Sequence, residues 1–166
     1  MNTTPDTAPD TTRDTTPDTA PDTTQHEPLT TTPAPTAWPC LQAQDAPALI
    51  DFLVDTVGFL RTAVYEDGGR VVHAQLDWPE GGGVMLGSYD PGTAAETCGK
   101  PGTSGAYVVT DRVDDLYHRL REAGVKITGD IEDKPYGSRE FGIRDPEGNR
   151  WSFGTYRGEP RPGPGR

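Results

Sequence analysis

Few side chains in this sequence have the chemistry to act on a small molecule, and most of them fall on short alternating runs. His73 in RVVHAQLDW is the one histidine on such a run, since His26 lies in an N-terminal repeat and His118 on a helical stretch. An imidazole with its ordinary pKa of about 6.5 moves protons near neutrality, so His73 is either a catalytic base or a polar wall residue. Glu140 in SREFGIRD is a second candidate base, a counter-charge for a cation, or a hairpin carboxylate paired with its neighbour Arg139. Cys40 in WPCLQ has no base beside it in sequence, which favours an inert wall residue over a nucleophile. Trp38 and Tyr107, together with Gln42 and Gln75, offer the apolar faces and polar tips that hold a planar ligand. Ser152 stands in the middle of NRWSFGTY, the second arm of a hairpin whose turn is DPEGN.

The elements that must position these residues follow from periodicity and punctuation. WPCLQAQ (38–44) predicts a strand, with Pro39 near its start where a missing N–H is tolerable. APALIDFLVDTVG follows, with Leu49, Ile50, Leu53, Val54 and Val57 on one helical face. Asp45 is its natural N-cap, Pro47 suits its first turn and Gly58 ends it. Three strands come next, FLRTAVYE, RVVHAQLDW and VMLGSY, separated by turns at DGG and PEGGG. After a Gly/Pro/Thr-rich loop (90–104) the order repeats. GAYVVT is a strand, and DRVDDLYHRLREAGV is a helix stopped at Gly124. KITGDIEDKPYG begins as a strand and decays into a loop, and SREFGIRD with NRWSFGTY forms the final hairpin. Two β-α-β-β-β modules, about 37–89 and 105–156, predict an α+β fold built by internal duplication.

The flanks are of another kind. TTPDTAPDTTRD (Thr3–Asp14) recurs almost unchanged as TTPDTAPDTTQH (Thr15–His26). Such a repeat has nothing large to bury, so residues 1–36 are expected to be a disordered tail and 157–166 a flexible one. Residues 1–36 carry six acids and one base, residues 37–156 carry 19 acids and 11 bases, and the C-terminal tail returns +2 of the net −11. An acidic 37–156 domain with no Lys/Arg cluster argues against a nucleic-acid or anionic-membrane partner. No run approaches the roughly 18 apolar residues of a membrane span, and no signal or transit peptide is visible. Two cysteines, Cys40 and Cys98, form neither a disulfide framework nor a CxxC pair, so a reduced, cytoplasmic protein is expected.

Paired modules whose second closes on DPEGNRWSF, with DAPALIDFLVDTVGF in the first, resemble the vicinal oxygen chelate superfamily. That group includes glyoxalase I, bleomycin-resistance proteins, fosfomycin-resistance enzymes and extradiol dioxygenases. The resemblance covers Ala37 to Tyr156. It implies curved sheets forming a cup, helices on the convex side, a site inside the cup, and a homodimer whose subunits share sites.

Side chains alternate faces along a strand, so the apolar set should face the helices and the other set the cup. Trp151 and Phe153 pack outward, leaving Arg150, Ser152 and Gly154 inside. By the same parity Val72, Ala74 and Leu76 pack outward and Val71, His73 and Gln75 face inward. Leu41, Ala43, Ala106, Val108, Phe141 and Ile143 also pack outward. Trp38, Cys40, Gln42, Gly105, Tyr107, Glu140 and Gly142 then face inward.

Metal-dependent members of the superfamily hold an ion with His, Glu or Gln from the first and last strand of each module. Carried over by motif, those positions here are Trp38, Met85 or Leu86, the neighbourhood of Gly105, and Ser152. None is a usual ligand. The expected function is therefore a small-molecule binder without a metal, resembling the bleomycin-resistance branch, with an aromatic or cationic ligand held by Trp38, Gln42, His73, Gln75, Tyr107, Glu140 and Ser152. The alternative is a lyase, isomerase or dioxygenase of the glyoxalase type, using an atypical divalent metal site or metal-free chemistry at His73 or Glu140.

Overall fold

A computed structural model describes residues 35–92 and 99–160. The Thr/Pro/Asp repeat and residues 161–166 lie outside the described residues, as does Cys98. Strand β1 (Cys40–Ala43) leads into helix α1 (Ala46–Asp51), which continues as a π-helical segment, Phe52–Val57. Strands β2 (Leu60–Asp67), β3 (Arg70–Asp77) and β4 (Gly83–Ser88) complete the first module. The second repeats it with β5 (Gly105–Val109), α2 (Val113–Glu122), β6 (Ile127–Asp133), β7 (Arg139–Arg144) and β8 (Arg150–Gly154). Each module is one four-stranded sheet, ordered β1-β4-β3-β2 and β5-β8-β7-β6. In both, the first strand lies parallel to the last and the other pairs are antiparallel. This is the expected α+β architecture of two βαβββ modules.

The first helix starts where its sequence says it should. The Asp45 carboxylate accepts from the Ala48 amide at 3.1 Å, and Pro47 sits in the first turn. Its second half widens because the Gly58 amide reaches back five residues to the Leu53 carbonyl, at 2.9 Å. Leu49, Ile50, Leu53 and Val57 are all buried, and each such side chain contributes about 1.5–3 kcal/mol relative to exposure.

A single core serves both modules. Phe59 meets Trp78 at 5.0 Å between ring centroids and Trp151 at 5.6 Å, and Trp78 meets Phe153 at 6.1 Å. The Trp78 indole also donates to the Val109 carbonyl at 2.9 Å, and Arg119 of α2 donates to the Val57 carbonyl at 2.7 Å. The contacts between modules thus run through the helix side of both sheets.

Strand β6 runs to Asp133 and gives way to the turn at Lys134–Gly137, as expected; it is an edge strand with two register shifts against β7, so its polar sequence carries no clear alternation. Two expectations need correction. Strand β1 is shorter than the run 38–44, beginning after Trp38 and Pro39. The second concerns β3, where Tyr65 pairs His73 but Glu66 pairs Val71, leaving Val72 as an extra residue. That bulge reverses the local parity: Val71 is buried and Val72 is 64% exposed, the opposite of the alternation read through the strand. The Val71 amide is satisfied by the Ser88 hydroxyl at 3.0 Å.

Candidate functional site

The DPEGN hairpin carries the most specific part of the sequence, and its role is structural. Asp145 is buried, and its carboxylate accepts from the Asn149 amide (2.8 Å), Asn149 Nδ2 (2.9 Å) and Trp151 Nε1 (2.9 Å). Asn149 Oδ1 in turn accepts from the Ser104 amide at 3.1 Å, tying the start of β5 to the turn. Glu147 accepts from the Asp45 amide at 2.8 Å, joining the turn to the first module. A buried carboxylate with three N–H donors is fully paired, and it fixes which face of β8 each residue presents. Trp151 and Phe153 go into the core, and Ser152 points to the other side.

Strand register then distributes the candidate residues. On the first sheet Cys40, Met85, Gln75 and Ala63 share one row, with Gln42 beside Gly87 in the next. Val84 and Leu86 are buried, so Met85 is the β4 residue on the concave face. Trp38 lies over Gly83, where an added Cβ would come within 2.7 Å of its ring. Its indole donates to the Pro35 carbonyl at 3.2 Å. Gln75 donates to Asp77 at 3.0 Å, and the Thr62 hydroxyl donates to the same carboxylate. His73 stacks on Tyr65, with centroids 6.1 Å apart and planes at 27°.

On the second sheet Tyr107, Ser152, Gly142 and Gly129 form one row, and Val109, Gly154, Glu140 and Glu132 the next. The Tyr107 hydroxyl lies 3.0 Å from the Ser138 hydroxyl and accepts from the Tyr156 amide at 3.1 Å. Only glycine permits this at 154: a Cβ there would collide with the Tyr107 hydroxyl and lie 2.8 Å from Glu140 Cβ and 2.9 Å from Ser138 Oγ. Two hollows adjoin. One, of about 210 Å³, is polar and is lined by Glu132, Lys134, Glu140, Arg150 and Ser152. The other, of about 570 Å³, is lined by Tyr107, Val109, Tyr136, Tyr156, Arg157 and Gly158. Hydrogen bonding toward the Glu140 carboxylate, and then burial and the charge itself, push the pKa of the neighbouring Tyr136 phenol up.

The candidates therefore fall into two groups. Gln42, His73 and Gln75 belong to the first sheet, with Trp38 just ahead of it, and Tyr107, Glu140 and Ser152 belong to the second. Among the described residues no hydrogen bond joins one group to the other, so His73 and Glu140 are not brought together as an acid–base pair. Arg139 is committed to Asp114 (2.7 Å) and Asp133 (3.2 Å), not to Glu140. A cleft of about 420 Å³ between the modules involves Trp78, Glu80, Thr110 and Arg119, but it is a joint. Glu80 there accepts from the Thr110 hydroxyl (2.5 Å) and the Asp111 amide (2.9 Å). Asp77, Thr62, Ser138, Tyr136 and Tyr156 were not singled out by sequence. Asp77 shares the parity of His73 and Gln75, but Tyr136 sits on a turn and Tyr156 just beyond a strand, where alternation says nothing.

The family model described as Glyoxalase/Bleomycin resistance protein/Dioxygenase superfamily matches residues 35–153. The chain belongs to this superfamily. An uncharacterized superfamily relative from Mycobacterium tuberculosis is 30% identical over 126 residues, covering 72% of this chain and 74% of its own. TioX from Micromonospora sp. ML1 is 32% identical, with a TM-score of 0.60 over 70% of this chain and 94% of its own. TnmS3 from Streptomyces sp. CB03234, an antibiotic binding protein, is 26% identical, with a TM-score of 0.55 over 74% and 97%. The ion of the superfamily's metalloenzymes does not fit the donor set here. The positions that the resemblance assigns to ligands are Trp38, Met85 or Leu86, the neighbourhood of Gly105 and Ser152, none of them a usual donor. Among the described residues no three His, Cys, Asp or Glu side chains gather closely enough to hold an ion.

Proposed function

We propose that this protein is a cytoplasmic, metal-free small-molecule binder that sequesters an aromatic compound on its concave faces without altering it. The observation that carries this reading is the hollow of about 570 Å³ walled by Tyr107, Tyr136 and Tyr156. Its volume suits a drug-sized molecule, and tyrosines supply large stacking area with polar tips. The similarity to TnmS3, an antibiotic binding protein, supports the same class of ligand. A homodimer is part of the same proposal: Leu60, Tyr65 and Val72 on β2 and β3 are exposed large hydrophobics that a partner subunit would cover. The enzymatic alternative has less support, because His73 and Glu140 lie on separate sheets.

The test is a thermal-shift and calorimetric screen of the purified protein against aromatic antibiotics and metabolites. A ligand present at 100 times its Kd adds about 2.7 kcal/mol of native-state stability. A stoichiometric ligand recovered unchanged is expected, with a dimer by solution scattering. Turnover of the bound compound, a metal that survives dialysis, or no aromatic ligand at all would each overturn the corresponding part.

A further inference from the structure

The Glu140 side chain is out of balance with its surroundings. Its Oε2 is buried without a hydrogen-bond partner, alone in this among the buried side-chain nitrogens and oxygens of the described residues. A carboxylate oxygen taken out of water normally finds a donor or a cation, because leaving it bare is unfavourable. Three bases on or just beyond this module are spoken for, and a fourth, Arg150, lines the same polar hollow as Glu140 without bonding Oε2. Lys134 is paired with Glu132, Arg139 with Asp114 and Asp133, and Arg157 with Asp111 at 2.7 Å. The hydroxyls of Tyr107 and Ser138 are bonded to each other, and the Tyr136 phenol, though it leans on the Glu140 carboxylate, makes no hydrogen bond to Oε2.

Near this carboxylate stand the Tyr107 and Tyr136 side chains. Tyr136 and Tyr156 meet edge to face at 5.8 Å and 74°, and with Tyr107 they wall the larger hollow. Glu140 lines the polar hollow, while Tyr136, whose phenol feels the Glu140 charge, lines the tyrosine one. Tyr136 is 57% exposed on the tight turn between β6 and β7, where the Gly137 amide bonds the Lys134 carbonyl at 2.9 Å.

We propose that Glu140 and the three tyrosines form a subsite for an organic cation, a protonated amine or alkylated ring nitrogen carried on an aromatic ligand. The ligand brings the charge the protein withholds from Oε2, and the ring faces of Tyr107, Tyr136 and Tyr156 attract the same cation through their quadrupoles. This deepens the small-molecule-binding reading, on which it rests, by naming the charge of the ligand.

The experiment is calorimetric titration at neutral pH with three matched probes: naphthylmethylammonium, naphthylmethanol and naphthoate. The wild-type chain should bind the ammonium about tenfold tighter than the alcohol, and the preference should shrink with added salt. Glu140→Gln, checked for an unchanged melting profile, should erase the preference while leaving the alcohol's affinity within about twofold. Tyr136→Leu should weaken the ammonium more than the alcohol. Equal loss of both probes in Glu140→Gln, or an undiminished preference there, overturns the subsite. Binding of the alcohol or naphthoate to wild type without a preference for the ammonium also overturns it, while leaving the small-molecule reading standing. If none of the three binds wild type, the cation subsite falls, and the antibiotic screen alone then decides the broader reading.

Discussion

The two modules share one topology but treat their concave faces differently. On the first sheet three polar side chains satisfy one another, Gln75 and Thr62 both donating to Asp77, and Trp38 covers a glycine. On the second sheet the equivalent strands carry Gly129, Gly142 and Gly154, and leave Glu140 Oε2 with no donor. Duplication supplies a frame twice, and only one copy keeps an unmet polar demand. Under the proposed cation subsite, that unmet demand marks the place of a ligand. The second module is therefore the half on which recognition is expected to depend, with the first as a closed polar wall.

The largest expected effect comes from removing what orients the second module's face. Asp145→Ala strands the Asn149 and Trp151 donors in the core, and should lower stability by about 3 kcal/mol or more in urea titrations. A change under about 1 kcal/mol would show that the turn is not what aligns Ser152. The satisfied first sheet should come next. Asp77→Ala frees Gln75 and Thr62 on a half-buried surface and should cost about 1 kcal/mol. Glu140→Leu, by contrast, should leave stability within about 1 kcal/mol of wild type or raise it, because it removes a buried acid that the fold does not pair. A loss as large as that of Asp77→Ala would erase the distinction between the two faces. Smaller still is Ser152→Ala, expected to shift stability by no more than about 0.5 kcal/mol, with any effect appearing in ligand affinity.

A weaker contrast is set by pH. Arg139 bonds Asp114 and holds its carboxyl below the usual Asp value. A depressed folded pKa gives stability that is present above the unfolded value of about 3.9 and is lost as pH falls through the folded one. The melting temperature should therefore fall between about pH 5 and pH 3, and Asp114→Asn should flatten a small part of that fall. A wild-type and variant profile that coincide would mean the exposed pair is screened out.

Much of the fold was legible in the sequence because its signals are local. Asp45, Pro47 and Gly58 bracket the first helix within one short segment, and the same order of elements recurs after residue 104. The faces of β1, β5, β7 and β8 followed from alternation, as did the places of Leu41, Val108, Phe141 and Trp151 in the core. The bulge at Val72 was not legible, since a one-residue slip is decided by the pairing with β2 and leaves no mark on composition. Tyr136, Ser138 and Tyr156 were missed for another reason. Their meeting with Tyr107 depends on the register that sets Glu140 opposite Gly154, a pairing between strands that neither run announces alone.

The three tryptophans occupy three distinct settings, and this makes the chain its own optical probe. Trp78 and Trp151 are buried where the modules join, Trp151 with its indole N–H bonded to a carboxylate, so their emission reports whether the two halves remain docked. Trp38 is half-buried over Gly83 on the first concave face, away from the tyrosine hollow of the second. Quenching of Trp38 on addition of a ligand, with the emission of the other two unchanged, would therefore signal that the first sheet's face has also been reached, from the same chain or from a partner's bound compound. With Trp38→Phe as the dark reference, docking of the halves and occupancy of that face become separable signals in one spectrum.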